Sequence, residues 1–276
     1  MSNPSENDKN QKYNKRRRNT KPEAKKAVSN DLIFGLHAIQ AALEVPVSRV
    51  IEIWLSDERH DSRIIALETA AKKQDIKVHK VPREELDERV PDMQHQGGLA
   101  RCRPLGNLDE THLFKMLDDL DEPAFLLILD GVQDPHNLGA CIRTAEAAGA
   151  HAVIAPKDRA SSLTNTALKV SSGAAERLPF IQVTNLARVL RELQQNGVWL
   201  VGTSGDCDTP LFDADLKGSL AVILGAEGRG IRRLTREHCD QVVYIPMQGG
   251  AESLNVSVAA GVCLFEATRQ RAIASI

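Results

Sequence analysis

The chain has 276 residues, of which 42% are hydrophobic and 26% are charged, and its formal net charge at pH 7 is −2. This composition is typical of a soluble protein with one large or two modest domains. The polar N-terminus and the short apolar runs argue against a signal peptide or a membrane span, so we expect a cytoplasmic protein. Five cysteines without a CxxC pair and eight histidines without ligand spacing predict reduced, buried thiols and no metal site.

The charge is unevenly distributed along the chain. Residues 1–30 hold nine Lys or Arg and three acidic residues, whereas the remainder holds 26 basic and 34 acidic residues. The Lys-Arg-Arg-Arg run at 15–18 lies among Asn, Lys, Ser and Pro, a composition that cannot bury a core. We predict a disordered basic tail over residues 1–30, which either attracts an RNA phosphate backbone or is only a solvated segment.

A small α/β unit is predicted over residues 31–102, followed by a linker over residues 103–122. The hydrophobic periodicity of the small unit reads αβαβαβ. The predicted elements lie at 32–43, 50–55, 64–73, 76–81, 83–89 and 98–102. The linker carries one predicted helix, at 111–120.

The second unit is predicted over residues 123–276. It begins with five consecutive apolar residues at 125–129, as expected for a strand that is covered on both faces. Strands then alternate with helices, which predicts a mostly parallel sheet with helices on both faces. The predicted strands lie at 125–129, 152–155, 180–183, 198–201, 220–224 and 241–245, and the helices at 137–148, 163–170, 186–196, 231–238 and 253–271.

Three strand-to-helix junctions of this unit carry polar side chains among small residues. The first, at 130–145, contains Asn137 as a candidate N-cap and Arg143, a bulky cation in a helix of small residues. Arg143 is suited either to a surface salt bridge or to an anion such as an RNA phosphate. Because ligands of open α/β sheets bind at the carboxyl ends of strands, this junction is a candidate site.

The other two junctions lie at 224–231 and 245–261. The glycines of the second junction run G-x-x-G-x-G, which is not the dinucleotide order, and Glu227 between them suits a cationic partner or a plain exposed turn. The third junction places Ser253, Asn255 and Ser257 in the first turn of an apolar helix, where Ser253 can also be an ordinary N-cap. We predict that all three junctions form one ligand crevice.

These junctions resemble the three motifs of the SpoU class of RNA ribose 2′-O-methyltransferases, in the SPOUT superfamily. The matching segments are Asn-x-Gly-Ala-x-x-Arg-Thr-Ala at 137–145, Leu-Gly-Ala-Glu-Gly-x-Gly at 224–230, and Ile-Pro-Met at 245–247 with Ser-Leu-Asn-Val-Ser-Val-Ala at 253–259. They occur in the order of the family. The resemblance covers roughly residues 31–270 and is strongest to members that methylate a guanosine ribose in large-subunit (23S) ribosomal RNA.

The resemblance implies a parallel-sheet SPOUT domain with a deep trefoil knot, preceded by a small RNA substrate-binding domain. It also implies S-adenosylmethionine as the methyl donor and a homodimer with the active site near the subunit boundary. Carried over to this chain, the cofactor-binding residues are Thr203, Gly225, Ile245, Met247 and Leu254. The catalytic residues carried over in the same way are Arg143, Asn137, Glu227, Ser253 and Asn255.

The resemblance assigns Arg143 to the target nucleotide, at its phosphate or its 2′-hydroxyl. The family is often described with this arginine as general base, although a guanidinium stays protonated at physiological pH. Alternatively, Arg143 polarises the hydroxyl while a phosphate oxygen or Glu227 takes the proton. Ser253 and Asn255 would orient Arg143 or the donor, and Asn137 would hold the loops together. On an ideal helix, Asn137 and Arg143 lie roughly 120° apart, so their shared site must wrap around the helix end.

Three other functions remain open on the sequence alone. A non-catalytic RNA-binding or ribosome-assembly protein would also use the basic tail and the small domain. A methyltransferase of another RNA, such as transfer RNA, would carry the same motifs. A nucleotide-dependent oxidoreductase would share the sheet, but the glycine order disfavours it.

Overall fold

The computed structural model describes residues 32–274 except 47, 92 and 227, so the predicted basic tail at 1–30 lies outside the described residues. The described chain forms two β-sheets, each flanked by helices. None of the described helices is both long enough and apolar enough to cross a membrane.

The first sheet belongs to the small N-terminal unit and has the strand order β1-β4-β2-β3. Its strands are β1 (Leu32–Phe34), β2 (Val50–Ser56), β3 (Lys77–Val81) and β4 (Gly98–Cys102). Its helices are α1 (Leu36–Glu44), α2 (Ser62–Lys73) and α3 (Arg83–Arg89). Strand β4 runs antiparallel to β1 and β2, whereas β2 and β3 are parallel. Helices α1 and α2 cover one face and α3 covers the other.

Strand β1 corrects the predicted helix at 32–43. Its three residues pair with β4, and the helix begins only after Gly35, whose φ is 95°. Ile33 and Phe34 are buried in different cores on opposite faces of the sheet, which is the alternation of a strand. Three residues are too few for that alternation to outweigh the helical pattern of the nine residues that follow.

The second sheet is parallel throughout and has the order β7-β6-β5-β10-β8-β11-β9. Its strands are β5 (Phe125–Asp130), β6 (Ala152–Pro156), β7 (Phe180–Val183), β8 (Trp199–Thr203), β9 (Thr209–Pro210), β10 (Leu220–Gly225) and β11 (Gln241–Tyr244). The helices of this unit are α4 (Glu110–Asp118), α5 (Pro135–Ala147), α6 (Asn165–Val170), α7 (Ala174–Arg177), α8 (Leu186–Gln195), α9 (Arg233–Glu237) and α10 (Val256–Ala274). The predicted α/β class is confirmed.

Helices cover both faces of this larger sheet, as the apolar run at 125–129 predicts. Phe125, Leu127 and Leu129 point into a core with α5, α6, α7 and α10, whereas Leu126 and Ile128 point into a core with α4 and α8. Helix α4 lies in the predicted linker, yet its Leu113 is fully buried in the second core. The second half of the linker therefore packs as part of the larger unit.

Two helix starts differ from the prediction and bear on the site. Helix α5 begins at Pro135, and the Asp134 side chain accepts a hydrogen bond from the backbone N–H of His136 at 2.9 Å, so Asn137 is not the N-cap. Pro at the first helical position and Asp before it form a strong start signal that lies three residues earlier. Helix α10 begins at Val256 rather than Ser253. Both changes leave Asn137 and Ser253 with side chains that are not used as the predicted caps.

A buried ion pair joins the small unit to the larger one. The Arg49 guanidinium donates from Nε and Nη2 to both carboxylate oxygens of Glu176 on α7, at 2.8 and 2.6 Å. The side chains of Arg49 and Glu176 are only 10% and 5% exposed. Burial lowers the pKa of Arg49, but the hydrogen bond and the charge of Glu176 outweigh it and leave that pKa raised. The pair thus fixes the start of β2 against α7.

Candidate active site

A cleft of about 660 Å³ lies at the carboxyl ends of β8, β10 and β11. This is the edge of the sheet at which an open α/β fold binds ligands. All the residues predicted to bind the cofactor line it: Thr203, Gly225, Ile245, Met247 and Leu254. Ser253 lines it as well. The second and third motif junctions therefore meet in one crevice, but no residue of the first junction, which the structure describes in full, lines it, so the prediction of a single crevice from all three junctions is wrong within one chain.

Gly225 is the point at which the Gly-rich junction folds back on itself. The backbone N–H of Gly230 donates to the Ala226 carbonyl at 2.9 Å, which closes a tight turn beside the cleft. A Cβ placed on Gly225 would lie 1.9 Å from the carbonyl carbon of Gly230. Only glycine fits there, and the reason is the return of its own loop rather than a ligand.

The cleft combines apolar walls with carboxylates. Leu224, Ile245 and Leu254 supply apolar surface, and the charged residues of the lining are Asp206, Glu252 and Arg229. Asp206 also lies 3.9 Å from Arg236 Nη1. The segment before Asp206 is held by Arg236, which donates from Nη1 to Ser204 Oγ at 3.2 Å. Such a cleft suits a ligand that has an apolar body and carries both a cationic and an anionic group.

The hydroxyl of Thr203 is engaged within the sheet. Its Oγ1 donates to the carbonyl of Ile223 on the neighbouring strand β10 at 3.2 Å. Thr203 therefore fixes the spacing of β8 and β10 at the floor of the cleft.

A hydrogen bond between two amide side chains connects the first and third motifs. Asn255 Nδ2 donates to Asn137 Oδ1 at 2.9 Å. The Oδ1 atom of Asn255 accepts from the backbone N–H and the hydroxyl of Ser257, at 2.9 and 2.6 Å, and so caps α10. Asn137 is in the third position of α5, one turn inside the helix. The two amides bring the starts of α5 and α10 together.

Arg143 lies apart from these residues within one chain. It is exposed on α5, and its Nη1 donates to Ser172 Oγ at 3.4 Å. It is not among the described residues that line the cleft. Glu227, the remaining residue of the predicted catalytic set, lies outside the described residues. The structure thus brings Asn137, Asn255 and Ser253 to the cleft region and leaves Arg143 on the outer face of α5.

A second cleft, of about 530 Å³, lies on the other side of the Gly-rich junction. It is lined by the loop after β5, by Asn137, and by three arginines that the sequence analysis did not single out: Arg159, Arg229 and Arg232. The two clefts share Ala226, Arg229, Gly230 and Val256 along their common wall.

Asp130 and Arg232 fix that common wall to the sheet. The Asp130 side chain is fully buried, and its carboxylate accepts from the backbone N–H of Arg232 at 2.8 Å and from Arg232 Nε at 2.5 Å. These residues are 102 positions apart in the chain. The acid at the end of an apolar strand was visible in the sequence, but its distant partner had no local signal.

The fold and the site define an α/β protein with a parallel sheet. Its ligand cleft lies at the edge of that sheet where the motif residues are found. Residues 124–265 match the model of the SpoU rRNA Methylase family, and residues 32–108 match the model for RNA 2′-O ribose methyltransferase substrate binding. The chain belongs to the SpoU rRNA methylase family, as the resemblance of its motifs indicated. No group of three or more potential metal ligands occurs among the described residues.

Curated relatives align over almost their whole length. The 23S rRNA (guanosine-2′-O-)-methyltransferase RlmB of Photobacterium profundum is 52% identical over 89% of this chain and 100% of its own length. The enzyme of the same name from Escherichia coli K12 is 51% identical over 88% of this chain and 99% of its own.

Solved structures show the same architecture. An RNA 2′-O ribose methyltransferase superposes with a TM-score of 0.72 and 28% identity, covering 87% of this chain and 88% of the other. The SpoU methyltransferase AviRb from Streptomyces viridochromogenes, in complex with the cofactor AdoMet, has a TM-score of 0.72 and 24% identity, covering 88% and 90% of the two chains.

Proposed function

We propose that this protein transfers a methyl group from S-adenosylmethionine to the ribose 2′-hydroxyl of a guanosine in 23S ribosomal RNA. The observation that carries this proposal is the cleft at β8, β10 and β11, which gathers the second and third motifs in a chain about 50% identical to enzymes named for that reaction. A non-catalytic assembly factor would have no use for such a cleft.

The residues of the cleft fit the methyl donor. S-adenosylmethionine has an aromatic base, an aliphatic chain and two cationic groups, and when bound it supplies an electrophilic methyl on a sulfonium. Leu224, Ile245 and Leu254 offer apolar surface for the base and the chain. Asp206 and Glu252 offer negative charge for the cationic groups.

The remaining task of the protein is to position and activate the 2′-hydroxyl. A fixed near-attack geometry can contribute roughly 7–11 kcal/mol. We assign Arg143 to the target nucleotide, where its guanidinium binds the phosphate or polarises the hydroxyl. With Arg143 polarising the hydroxyl as a cation, the proton passes to a phosphate oxygen or to Glu227; Arg143 itself takes the proton only in the neutral guanidine form that a general base requires. Ser253 lies at the cleft, where it orients the donor, while Asn137 and Asn255 hold the motif loops together.

A homodimer reconciles the position of Arg143 with this role. Helix α10 starts at the cleft and leaves Val258 and Phe265 about half exposed, at 52% and 50%, two helical turns apart on one face. Exposed apolar side chains in such a row suit a second copy of the chain. We propose that the dimer buries this face and brings Arg143 of one copy beside the cleft of the other. We also propose that the larger unit contains the deep trefoil knot that the resemblance implies.

Mapping of ribose methylation in ribosomal RNA tests the function. Cells with the gene should carry one guanosine mark in 23S RNA that is absent from cells without it. An unchanged 23S map together with a lost mark in transfer RNA would move the proposal to another RNA. Failure of the purified protein to bind S-adenosylmethionine in calorimetry would instead favour a non-catalytic RNA-binding protein. We expect the enzyme to act in the cytoplasm, where its five free thiols stay reduced.

A further inference from the structure

We propose that Arg159 and Arg229 form a binding subsite for an RNA phosphate next to the target ribose. This inference rests on the proposed function, and it adds a residue from outside the three motifs, Arg159, to the substrate-contacting surface. The subsite is the second cleft, which lies over β6, β5 and β10.

The second cleft lies next to the proposed donor cleft. The proposed donor cleft lies over β10, β8 and β11, so the loop after β10 separates the two clefts. Arg229 stands in that loop and lines both of them. Asn137, which belongs to the first motif, lines the second cleft too. An RNA strand whose target 2′-hydroxyl faces the donor would therefore have its phosphate backbone close to the second cleft.

The second cleft is lined by charged side chains of both signs. Arg232 is paired with the buried carboxylate of Asp130, and Asp134 caps α5. The guanidinium groups of Arg159 and Arg229 make no side-chain hydrogen bond or ion pair with any residue that the structure describes. Two arginines that have no side-chain partner among the described residues and share one concave site are suited to an anion, and the planar fork of a guanidinium matches phosphate oxygens.

The backbone at Arg159 has an unusual conformation. Its φ is 57°, in the left-handed region that non-glycine residues seldom occupy. Two contacts hold this conformation against the loop after β5. The Ser161 N–H donates to the Val132 carbonyl at 2.8 Å, and Gln133 Nε2 donates to the Arg159 carbonyl at 3.4 Å. Such strain concentrates at functional sites, and here it places the side chain of Arg159 at the rim of the cleft.

Affinity for RNA in the absence of donor tests the subsite. The full-length protein is titrated with 23S RNA from cells lacking the gene, at several salt concentrations. For Arg159→Ala and Arg229→Ala we expect a roughly tenfold loss of RNA affinity near 0.15 M salt, as for one lost charged phosphate contact. The slope of log affinity against log salt should become shallower by about 0.7–0.9 for each variant. Arg159→Lys should recover part of the loss because it keeps the charge.

The matched control is Arg191→Ala. Arg191 is an exposed arginine on α8, away from both clefts, and its removal should leave RNA affinity and salt slope unchanged. Calorimetry with S-adenosylmethionine should give the wild-type donor affinity for Arg159→Ala. An Arg159→Ala protein with wild-type affinity and slope, in a preparation that still methylates 23S RNA, would overturn the subsite and leave the proposed function intact.

Arg229 has a second possible ligand, because it also lines the donor cleft. If Arg229→Ala weakens donor binding and leaves RNA binding unchanged, its guanidinium binds the carboxylate of the donor, and the two-arginine subsite is wrong. Wild-type protein that methylates no RNA at all would refute the proposed function instead.

Discussion

Asn255 donates a hydrogen bond from Nδ2 to Oδ1 of Asn137 at 2.9 Å, across 118 residues of sequence. The same Asn255 side chain caps α10 through its Oδ1 atom. The Asn255 amide therefore caps its own helix through Oδ1 and holds Asn137 of α5 through Nδ2. Because α5 carries Arg143 and α10 starts at the donor cleft, this contact fixes the first motif relative to the third.

Substitutions at Asn137 and Asn255 separate the two purposes. Asn255→Asp keeps the cap but replaces the donor to Asn137 with an acceptor, and Asn137→Ala removes the amide that accepts from Asn255 while the cap of α10 stays. We expect both variants to lower methyl transfer while their thermal stability stays close to wild type. Asn255→Ala should in addition lose about 1 kcal/mol of stability, since the cap is gone. Thermal unfolding and single-turnover methylation measure the two effects.

The control for this series is Ser257→Ala, which removes only the hydroxyl that bonds to Asn255 Oδ1. It should leave turnover nearly unchanged. Full activity in both Asn137→Ala and Asn255→Asp would show that the amide contact has no part in assembling the site.

Arg143→Ala should abolish methyl transfer and preserve donor binding. Loss of a group that assists proton removal costs about 10²–10⁴-fold in turnover, whereas the donor cleft does not include Arg143. Turnover is measured with 23S RNA from cells lacking the gene, and donor affinity by calorimetry. Wild-type turnover in this variant would remove the role given to Arg143.

Mixed dimers show whether Arg143 acts on its own cleft or on that of its partner. Leu254→Arg should block the donor cleft while leaving Arg143 in place. If Arg143 of one subunit acts on the cleft of the other, coexpression of Arg143→Ala and Leu254→Arg gives heterodimers with one intact site. At random pairing, about a quarter of wild-type activity should then return. Equal inactivity of the mixture and of each parent would place Arg143 in its own subunit or exclude the dimer.

The sequence predicted the parts of the fold that local pattern determines. Strand β5 was recognised because five apolar residues run together, and α3 and β4 match their predicted bounds. Strand β1 was missed because its three residues adjoin a stronger helical pattern. A cleft at the carboxyl ends of the strands was predicted because parallel strands bring those ends to one edge of the sheet. The second and third motifs share it, but the first motif lines the second cleft, so the single crevice predicted from all three motifs was wrong.

Long-range pairing and loop geometry were beyond the reach of the sequence. Nothing near Asp130 indicates a partner 102 residues away, and nothing near Arg159 indicates that a left-handed backbone would hold it at a cleft. The position of Arg143 outside the cleft depends on how α5 packs against the sheet, which the roughly 120° between Asn137 and Arg143 along the helix does not determine.

The Asp130–Arg232 pair predicts an asymmetric response to substitution. Arg232→Ala leaves a fully buried carboxylate with only one backbone donor, and we expect a loss of about 2–3 kcal/mol in the free energy of unfolding. Asp130→Asn keeps an acceptor for the Arg232 N–H and removes the charge, so its loss should be smaller, about 1 kcal/mol. Urea denaturation measures both. A larger loss in Asp130→Asn than in Arg232→Ala would contradict this account of the pair.

Cysteine reactivity should reflect burial. Burial raises the pKa of Cys141 and Cys263, and mainly burial raises that of Cys239, in each case from 9.0 to about 12. Since the thiolate is the reactive form, alkylation of these residues at pH 8 should be about 1000-fold slower than that of a free cysteine. Mass spectrometry after iodoacetamide treatment, with and without denaturant, provides the comparison. Modification of native Cys141 at the rate seen in denaturant would contradict the burial described here.

The Arg49–Glu176 pair should stabilise the position of the small unit rather than the donor cleft. Glu176→Ala leaves a buried guanidinium without its carboxylate, for which we expect a loss of about 3 kcal/mol in the free energy of unfolding. The double variant Arg49→Met/Glu176→Leu should regain most of that stability, because neither charge remains buried. Both variants should raise the KM for RNA and leave donor affinity unchanged, since the pair joins the start of β2 to α7. Arg233→Ala is the control: Arg233 is exposed, pairs with Glu237 within α9 at 3.2 Å, and should cost below about 1 kcal/mol without changing the KM for RNA. An unchanged KM for RNA in the double variant would show that the pair contributes stability alone.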